Sequence, residues 1–247
     1  MSPQTEEELA YMSRVPYPNA VDFLMYAMVC TRPDIAHAVS LMSRFMARPG
    51  REYWQGVKRI FRYLRGTSDI SLVYGNGKEC LVTGYSDSDY ATDVDTRRSV
   101  IGYVFTLGGS VVSWKSTLQS SVKLSTTEAE FMALTSAAKE SIWLKGLVGE
   151  LGIAQDFATV YCDSLSAICL AKDQVHHDRT KHIDVRYHFL RTEKRVKVKK
   201  IGTADKPADF FTKLCGGSWV ETCRDESWLK TYRDVRLMHE LCIGDLA

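Results

Sequence analysis

Four carboxylates carry the chemistry this sequence offers: Asp87, Glu130, Asp163 and Asp209. Each falls at an element end, where a fold can gather distant residues. Asp87 closes an apolar strand pattern, Glu130 lies in the first turns of a long helix, Asp163 follows a short β-rich run, and Asp209 sits in the first turn of a final helix opened by Pro207. Four hard oxygen donors on one spot repel one another at neutral pH and call for divalent cations. Two magnesium ions about 4 Å apart, with manganese as a substitute, would clamp a phosphodiester, activating the attacking water and stabilising the leaving 3′ oxygen. Spacing alone does not choose Asp87 over Asp89, because both share one face of an extended strand. On the helix, Glu130 shares a face with Leu134 at the edge of the buried stripe, whereas Glu128 occupies a capping-box position. The competing explanation is plain: these are four of 30 acidic residues, most of which coat a solvated surface.

The elements that must hold these residues are readable from periodicity. Leu81 to Asp87, Val100 to Leu107 and Ser110 to Trp114 read as strands, with Gly108-Gly109 turning the second into the third. Ser125-Thr126-Thr127-Glu128 opens a helix expected to run to about Leu151, with Gly152 closing it. A strand at Ala158 to Cys162 leads through Asp163-Ser164 into a helix at Leu165 to Lys172. A further helix at about Ile183 to Arg195, a strand at Val196 to Ile201 and the helix from Pro207 complete the pattern. The order describes an α/β fold, a mixed five-stranded sheet flanked by helices.

A small helical segment precedes it. Apolar residues recur at helical spacing from Val21 to Met46, broken at Thr31-Arg32-Pro33-Asp34, where one helix ends near Thr31 or Arg32 and another starts with Pro33 in its first turn. A third helix is expected from Glu52 to Leu64, with Trp54, Val57, Phe61 and Leu64 on one side and Lys58, Arg62 and Arg65 on the other. A short strand at Ile70 to Tyr74 and a Gly75-Asn76-Gly77 turn follow.

Composition narrows the classes. The 247 residues, 45% hydrophobic and 25% charged, suffice for a sizeable core, and the net charge of +2 hides local bias. Residues 176–200 carry nine Lys/Arg against three Asp/Glu, and residues 12–76 nine against four, so a duplex could lie across two basic stretches. Neither a membrane-spanning run nor a signal-peptide pattern is present, which points to an intracellular protein without a membrane partner. Seven cysteines are scattered without any CxxC pair, and His176, His177, His182 and His188 match no common zinc spacing, so thiols rather than disulfides or a zinc site are expected.

The residues around the carboxylates resemble a known family. Tyr85-Ser86-Asp87-Ser88-Asp89-Tyr90-Ala91, Arg97-Arg98-Ser99 with Gly102-Tyr103-Val104-Phe105, Ser113-Trp114-Lys115-Ser116, and Ser125 through Leu134 come first. Tyr161-Cys162-Asp163-Ser164, His177 with Arg179-Thr180-Lys181-His182-Ile183-Asp184, and Pro207-Ala208-Asp209-Phe210-Phe211-Thr212-Lys213 follow. Together, from about Leu81 to Leu214, they resemble the ribonuclease H domain of copia-type retrotransposon Pol polyproteins, in family order. The resemblance implies a ribonuclease H-like fold and a metal-binding catalytic quartet at Asp87, Glu130, Asp163 and Asp209. It thereby selects Asp87 and Glu130 over their neighbours. Many ribonucleases H outside this family place an assisting histidine shortly before the last aspartate; residues 201–206 contain none, and His182 or Lys206 could stand in. Upstream, Leu24-Met25-Tyr26, Cys30 through Ala36, Ser43-Arg44-Phe45 and Arg62 through Thr67 resemble the end of the copia-type reverse transcriptase. That family's polymerase aspartates are missing from this sequence, so no polymerase activity is expected of it.

The domain expectation is therefore residues 1–76 as a thumb- or connection-like reverse transcriptase fragment, residues 77–214 as a ribonuclease H domain, and residues 215–247 unassigned beyond an amphipathic pattern near Trp228 to Leu241. The resemblance implies endonucleolytic hydrolysis of the RNA strand of RNA/DNA hybrids, leaving 5′-phosphate and 3′-hydroxyl ends. It also implies the remainder of the reverse transcriptase as a partner, and a setting in cytoplasmic virus-like particles and the nucleus. Ser88, Thr126, Thr127, Ser164, Lys181 and His182, the basic run Arg191 to Lys200, and Lys58, Arg62 and Arg65 are candidate nucleic-acid contacts. The rivals are a remnant of such an element that binds hybrids without cutting them, and a structural piece that only packs against the missing polymerase part.

Overall fold

In a computed structural model of the chain, residues 5–75, 80–172 and 196–213 are described. They divide into two compact units, residues 5–73 with Lys213, and Tyr74–Thr212. Among the described residues no helix is long and apolar enough to cross a membrane.

The first unit is helical: α1 (Glu6–Met12), α2 (Tyr17–Cys30), a 3-10 turn (Pro33–Ile35), α3 (Ala36–Ser43) and α4 (Arg51–Gly66). The break expected at residues 31–34 is present, with Thr31 capping α2 and Pro33 opening the 3-10 turn. An internal ion pair fixes it. Arg32 Nη2 lies 2.6 Å from Asp34 Oδ2, Tyr63 donates to the same oxygen at 2.9 Å, and Arg32 Nη1 donates to the Thr67 carbonyl at 3.1 Å. The guanidinium thereby ties the start of α3 to the end of α4 with its charge and donors satisfied, the condition under which a buried pair is tolerated. The apolar face of α4 differs from the expectation. It is Gly56, Val57, Ile60 and Tyr63 that are buried, while Phe61 is 40% exposed. Gly56 accounts for the shift, since a Cβ there would lie 2.9 Å from Met42 Sδ, and the missing side chain lets α3 and α4 approach. The strand expected at Ile70 to Tyr74 does not form; no neighbour pairs with this stretch among the described residues, and alternation without a partner does not make a strand.

The second unit is built on a five-stranded sheet in the order β3-β2-β1-β4-β5. Strands β1 (Val82–Asp89), β2 (Val100–Leu107) and β3 (Ser110–Leu118) form an antiparallel meander, and β4 (Ala158–Cys162) and β5 (Val196–Lys200) extend it in parallel with β1. Gly108 and Gly109, at φ of 58° and 81°, make the tight turn between β2 and β3, where both residues need the left-handed region. The 25-residue α5 (Thr126–Glu150) crosses from β3 to β4 and packs on β1, β2 and β4. Its face of the sheet holds the apolar core, with Phe105, Phe131, Leu134 and Val160 fully buried. The expected cap is in place: Ser125 accepts from the Glu128 amide at 3.2 Å, and Glu128 accepts from the Leu124 amide at 3.1 Å. Gly152, at φ of 83°, ends the helix. After α6 (Leu165–Lys172) and β5 come two short 3-10 turns, Thr203–Asp205 and Pro207–Phe211. The segment from Pro207 is thus a 3-10 turn where an α-helix was expected. The helix expected at 183–195 and the pattern at 228–241 lie outside the described residues.

Candidate active site

Alternation along β1 sends Ser86 and Ser88 toward α5 and Asp87 to the opposite face. Opposite Asp87 in β2 is Gly102, and above this pair packs the Pro207–Phe211 turn. The approach is close: a Cβ at Gly102 would lie 2.6 Å from Thr212 Cγ2 and 3.0 Å from the Ala208 carbonyl oxygen. Ser116 of β3 holds the turn from the side, donating to the Phe211 carbonyl at 2.6 Å. Asp209 is thus delivered to the end of β1, beside Asp163 at the end of the neighbouring parallel strand β4.

The junction is a charged one. Lys206, at the linker between the two 3-10 turns, has a side chain only 1% exposed, and its Nζ is bonded to Asp87 Oδ1, lies 2.9 Å from Asp163 Oδ2 and 3.2 Å from Asp209 Oδ1. Thr212 donates a hydrogen bond to the second oxygen of Asp87, and Thr203 donates to Asp163 Oδ2 at 3.0 Å. Glu130, from the first turns of α5, completes the group: its carboxylate, the Cys162 thiol and Asp163 lie within 4.8 Å of one another. All four sequence-selected acids therefore converge, from four different elements. Asp89 takes no part in the contacts of Lys206 or Thr212; Asp87, 2% exposed, is the strand aspartate that does.

Electrostatics reflect the crowding. Burial and then the Asp87 charge push the Glu130 carboxyl up to about 8, despite Lys206 and the Ser88 amide, which lower it. Burial and the Glu130 charge push the Cys162 thiol up to about 12, so it stays protonated. Burial pulls the Lys206 amine down, but Asp87, Asp163 and Glu130 outweigh it and hold the ammonium above its ordinary range. The donor set fits hard divalent cations: carboxylate oxygens from Asp87, Asp163 and Asp209 already surround a positive charge, supplied by Lys206, and Glu130 lies beside Asp163. Two of the groups were not singled out for this setting by sequence. Thr212 has no signal as a site residue before the fold is known, and Lys206 entered only as a stand-in for a missing histidine.

The candidate nucleic-acid contacts are more dispersed. Ser88 is buried, donating to the Val100 carbonyl at 2.9 Å and accepting from Gln119 at 3.2 Å, so its hydroxyl is engaged inside the fold. Ser164 caps α6, accepting from the Ala167 amide at 3.2 Å. Thr126 is exposed and Thr127 half-buried at the start of α5. In the helical unit Arg62 and Arg65 are exposed, and Lys58 Nζ sits 5.8 Å from the Trp54 ring centroid. Lys181 and His182 lie outside the described residues.

The strand order, the antiparallel meander followed by two parallel strands, and the helix crossing from β3 to β4 define a ribonuclease H-like fold. No protein-family model matches the chain. It is 52% identical over 228 residues, 91% of its length, to the retrovirus-related Pol polyprotein from transposon TNT 1-94 of Nicotiana tabacum, of which it spans 17%. It is also 47% identical over 133 residues to the secreted RxLR effector protein 161 of Plasmopara viticola, a match covering 54% of this chain and 94% of that protein. Among solved structures it is similar to the N-terminal RNase H domain of rv2228c from Mycobacterium tuberculosis, with a TM-score of 0.41 and 15% identity over 54% of this chain and 91% of that one. Over most of its length the chain is thus similar to copia-type retrotransposon Pol polyproteins, of which it spans a small part.

Proposed function

We propose that the chain is a metal-dependent ribonuclease H, an endonuclease that hydrolyses the RNA strand of RNA/DNA hybrids during reverse transcription of its element. The observation that carries this reading is the convergence of Asp87, Glu130, Asp163 and Asp209 at the ends of β1 and β4. Evenly spread surface acids have no reason to meet there, and carboxylates so crowded are costly unless cations are bound. Asp87 and Asp163 supply oxygens from rigid strand ends, Glu130 from the base of α5 and Asp209 from the 3-10 turn. Bound by these four residues, two magnesium ions, with manganese substituting, would supply Lewis-acid activation of the attacking water and of the departing 3′ oxygen. Thr212 holds the Asp87 carboxylate and Thr203 the Asp163 carboxylate by hydrogen bonds, which limits their rotation.

Substrate choice in this reading rests on shape and the 2′-hydroxyl rather than on base sequence. Thr126, Thr127 and Ser164 border the acids, and the lysines of β5 offer phosphate contacts. Residues 1–76 are a reverse transcriptase fragment whose Lys58, Arg62 and Arg65 grip the template-primer; residues 77–214 are the nuclease; residues 215–247 stay unassigned. The remainder of the reverse transcriptase is the expected partner, and cytoplasmic particles and the nucleus the expected setting. The test is a panel of end-labelled substrates with magnesium or manganese. The reading predicts cutting of RNA in an RNA/DNA hybrid to 5′-phosphate and 3′-hydroxyl ends, abolished by a chelator, with RNA and DNA duplexes left intact. Hybrid binding without any cutting would mean a binding remnant.

A further inference from the structure

The position a divalent cation would take among Asp87, Asp163 and Asp209 is already held by a positive charge of the chain itself. Lys206 Nζ contacts all three carboxylates, and its side chain is among the most fully buried of the molecule. An ammonium 2.9 Å from Asp163 and 3.2 Å from Asp209 and a magnesium ion about 2.1 Å from the same oxygens cannot share that position. We propose that Lys206 is a resident counter-ion, which neutralises the site when metal is absent and must leave Asp87, Asp163 and Asp209 for a divalent cation to bind. This rests on the metal-dependent reading above and adds to it that metal uptake is an exchange of cations.

Two features of the setting favour exchange over permanent residence. The ammonium is a compact point charge on a flexible four-carbon stem, so it can withdraw by side-chain rotation alone. Its backbone lies in extended conformation, φ −97° and ψ 103°, between two 3-10 turns rather than inside a long element. One ammonium also balances only one of the converging carboxylates, so the site still attracts a cation of higher charge. A lysine that stayed in place would add repulsion to every metal bound there.

The test uses the full chain and manganese alone, without nucleic acid. Isothermal titration of the parent, Lys206→Met and Lys206→Arg measures metal affinity directly. Exchange predicts that the methionine variant, which keeps the volume and loses the charge, binds manganese about tenfold tighter or more, while the arginine variant binds no tighter than the parent. Amine acetylation of the parent, read by mass spectrometry at Lys206, covers the case in which the methionine variant fails to fold: labelling should be slow in chelator and rise several-fold with manganese. Unchanged or weaker binding by a folded methionine variant, or a Lys206 that stays protected with manganese bound, overturns the exchange and leaves the metal-dependent reading standing. Absence of manganese binding in both the parent and a folded methionine variant overturns the two together.

Discussion

A carboxyl placed as Glu130 is changes how the chain responds to pH. Burial first and Asp87 second raise it from the ordinary 4.5 to about 8, so the folded state holds this proton more tightly than the unfolded state does. Its contribution to stability is complete below about pH 4.5 and is lost as the pH rises to about 8. In chelator, therefore, the parent should melt at a lower temperature at about pH 8 than at about pH 6, and Glu130→Gln should flatten that difference. Equal slopes in the two proteins, followed by circular dichroism, would contradict the placement of Glu130. At this scale the four acids drew attention by sitting at element ends, but spacing alone did not choose Asp87 over Asp89, and it was the family resemblance that selected the quartet. That resemblance contains Thr212 only within a family motif, without a role, and nothing in it hinted that Lys206 is buried, because lysine is ordinarily a solvated residue and only tertiary contacts with three carboxylates reverse that expectation.

The elements position these groups through a few close approaches. Gly102 is one of them, with the Thr212 side chain and the Ala208 backbone close to the space a Cβ would occupy. Replacing it with alanine should push the Pro207–Phe211 turn off the sheet, costing about 1–3 kcal/mol in stability by overpacking. Because that turn carries Asp209, manganese affinity should fall in the same variant. Thermal unfolding and metal titration check both; a Gly102→Ala protein with unchanged melting and affinity would mean that the turn does not depend on this contact. The elements most legible in sequence were those with a local signature: the glycine pair between β2 and β3, the Ser125 cap and the Gly152 stop of α5. Those misread lacked one. Val57 is buried on α4 as expected, but a helical stripe can slide by a residue, and Gly56 against Met42 decides which way α4 turns. Ile70 to Tyr74 alternates as a strand would but pairs with nothing among the described residues, and the chain after Lys206 turns as a 3-10 segment where Pro207 suggested the start of a helix.

For the molecule as a whole, net charge of +2 says little, and the distribution of charge says more. If Lys58, Arg62 and Arg65 of α4 contact phosphates, replacing all three with glutamine should weaken hybrid binding and make its salt dependence shallower by up to about three in the log–log slope. Cleavage at saturating hybrid should stay within about twofold of the parent, since these residues belong to the helical unit. Fluorescence anisotropy across a salt series measures this, and an unaltered slope would remove α4 from the interface. In the proposed function the converging acids, and Asp87 rather than Asp89, perform hydrolysis of RNA in a hybrid. Its most direct measurement is the cleavage rate of a labelled RNA/DNA hybrid in magnesium by the parent, Asp87→Asn, Asp163→Asn and Asp89→Asn. The account predicts a fall of at least about 100-fold in the first two variants, with hybrid binding retained, and a rate near the parent's in the third. Parent-like cleavage by Asp87→Asn or Asp163→Asn would contradict it.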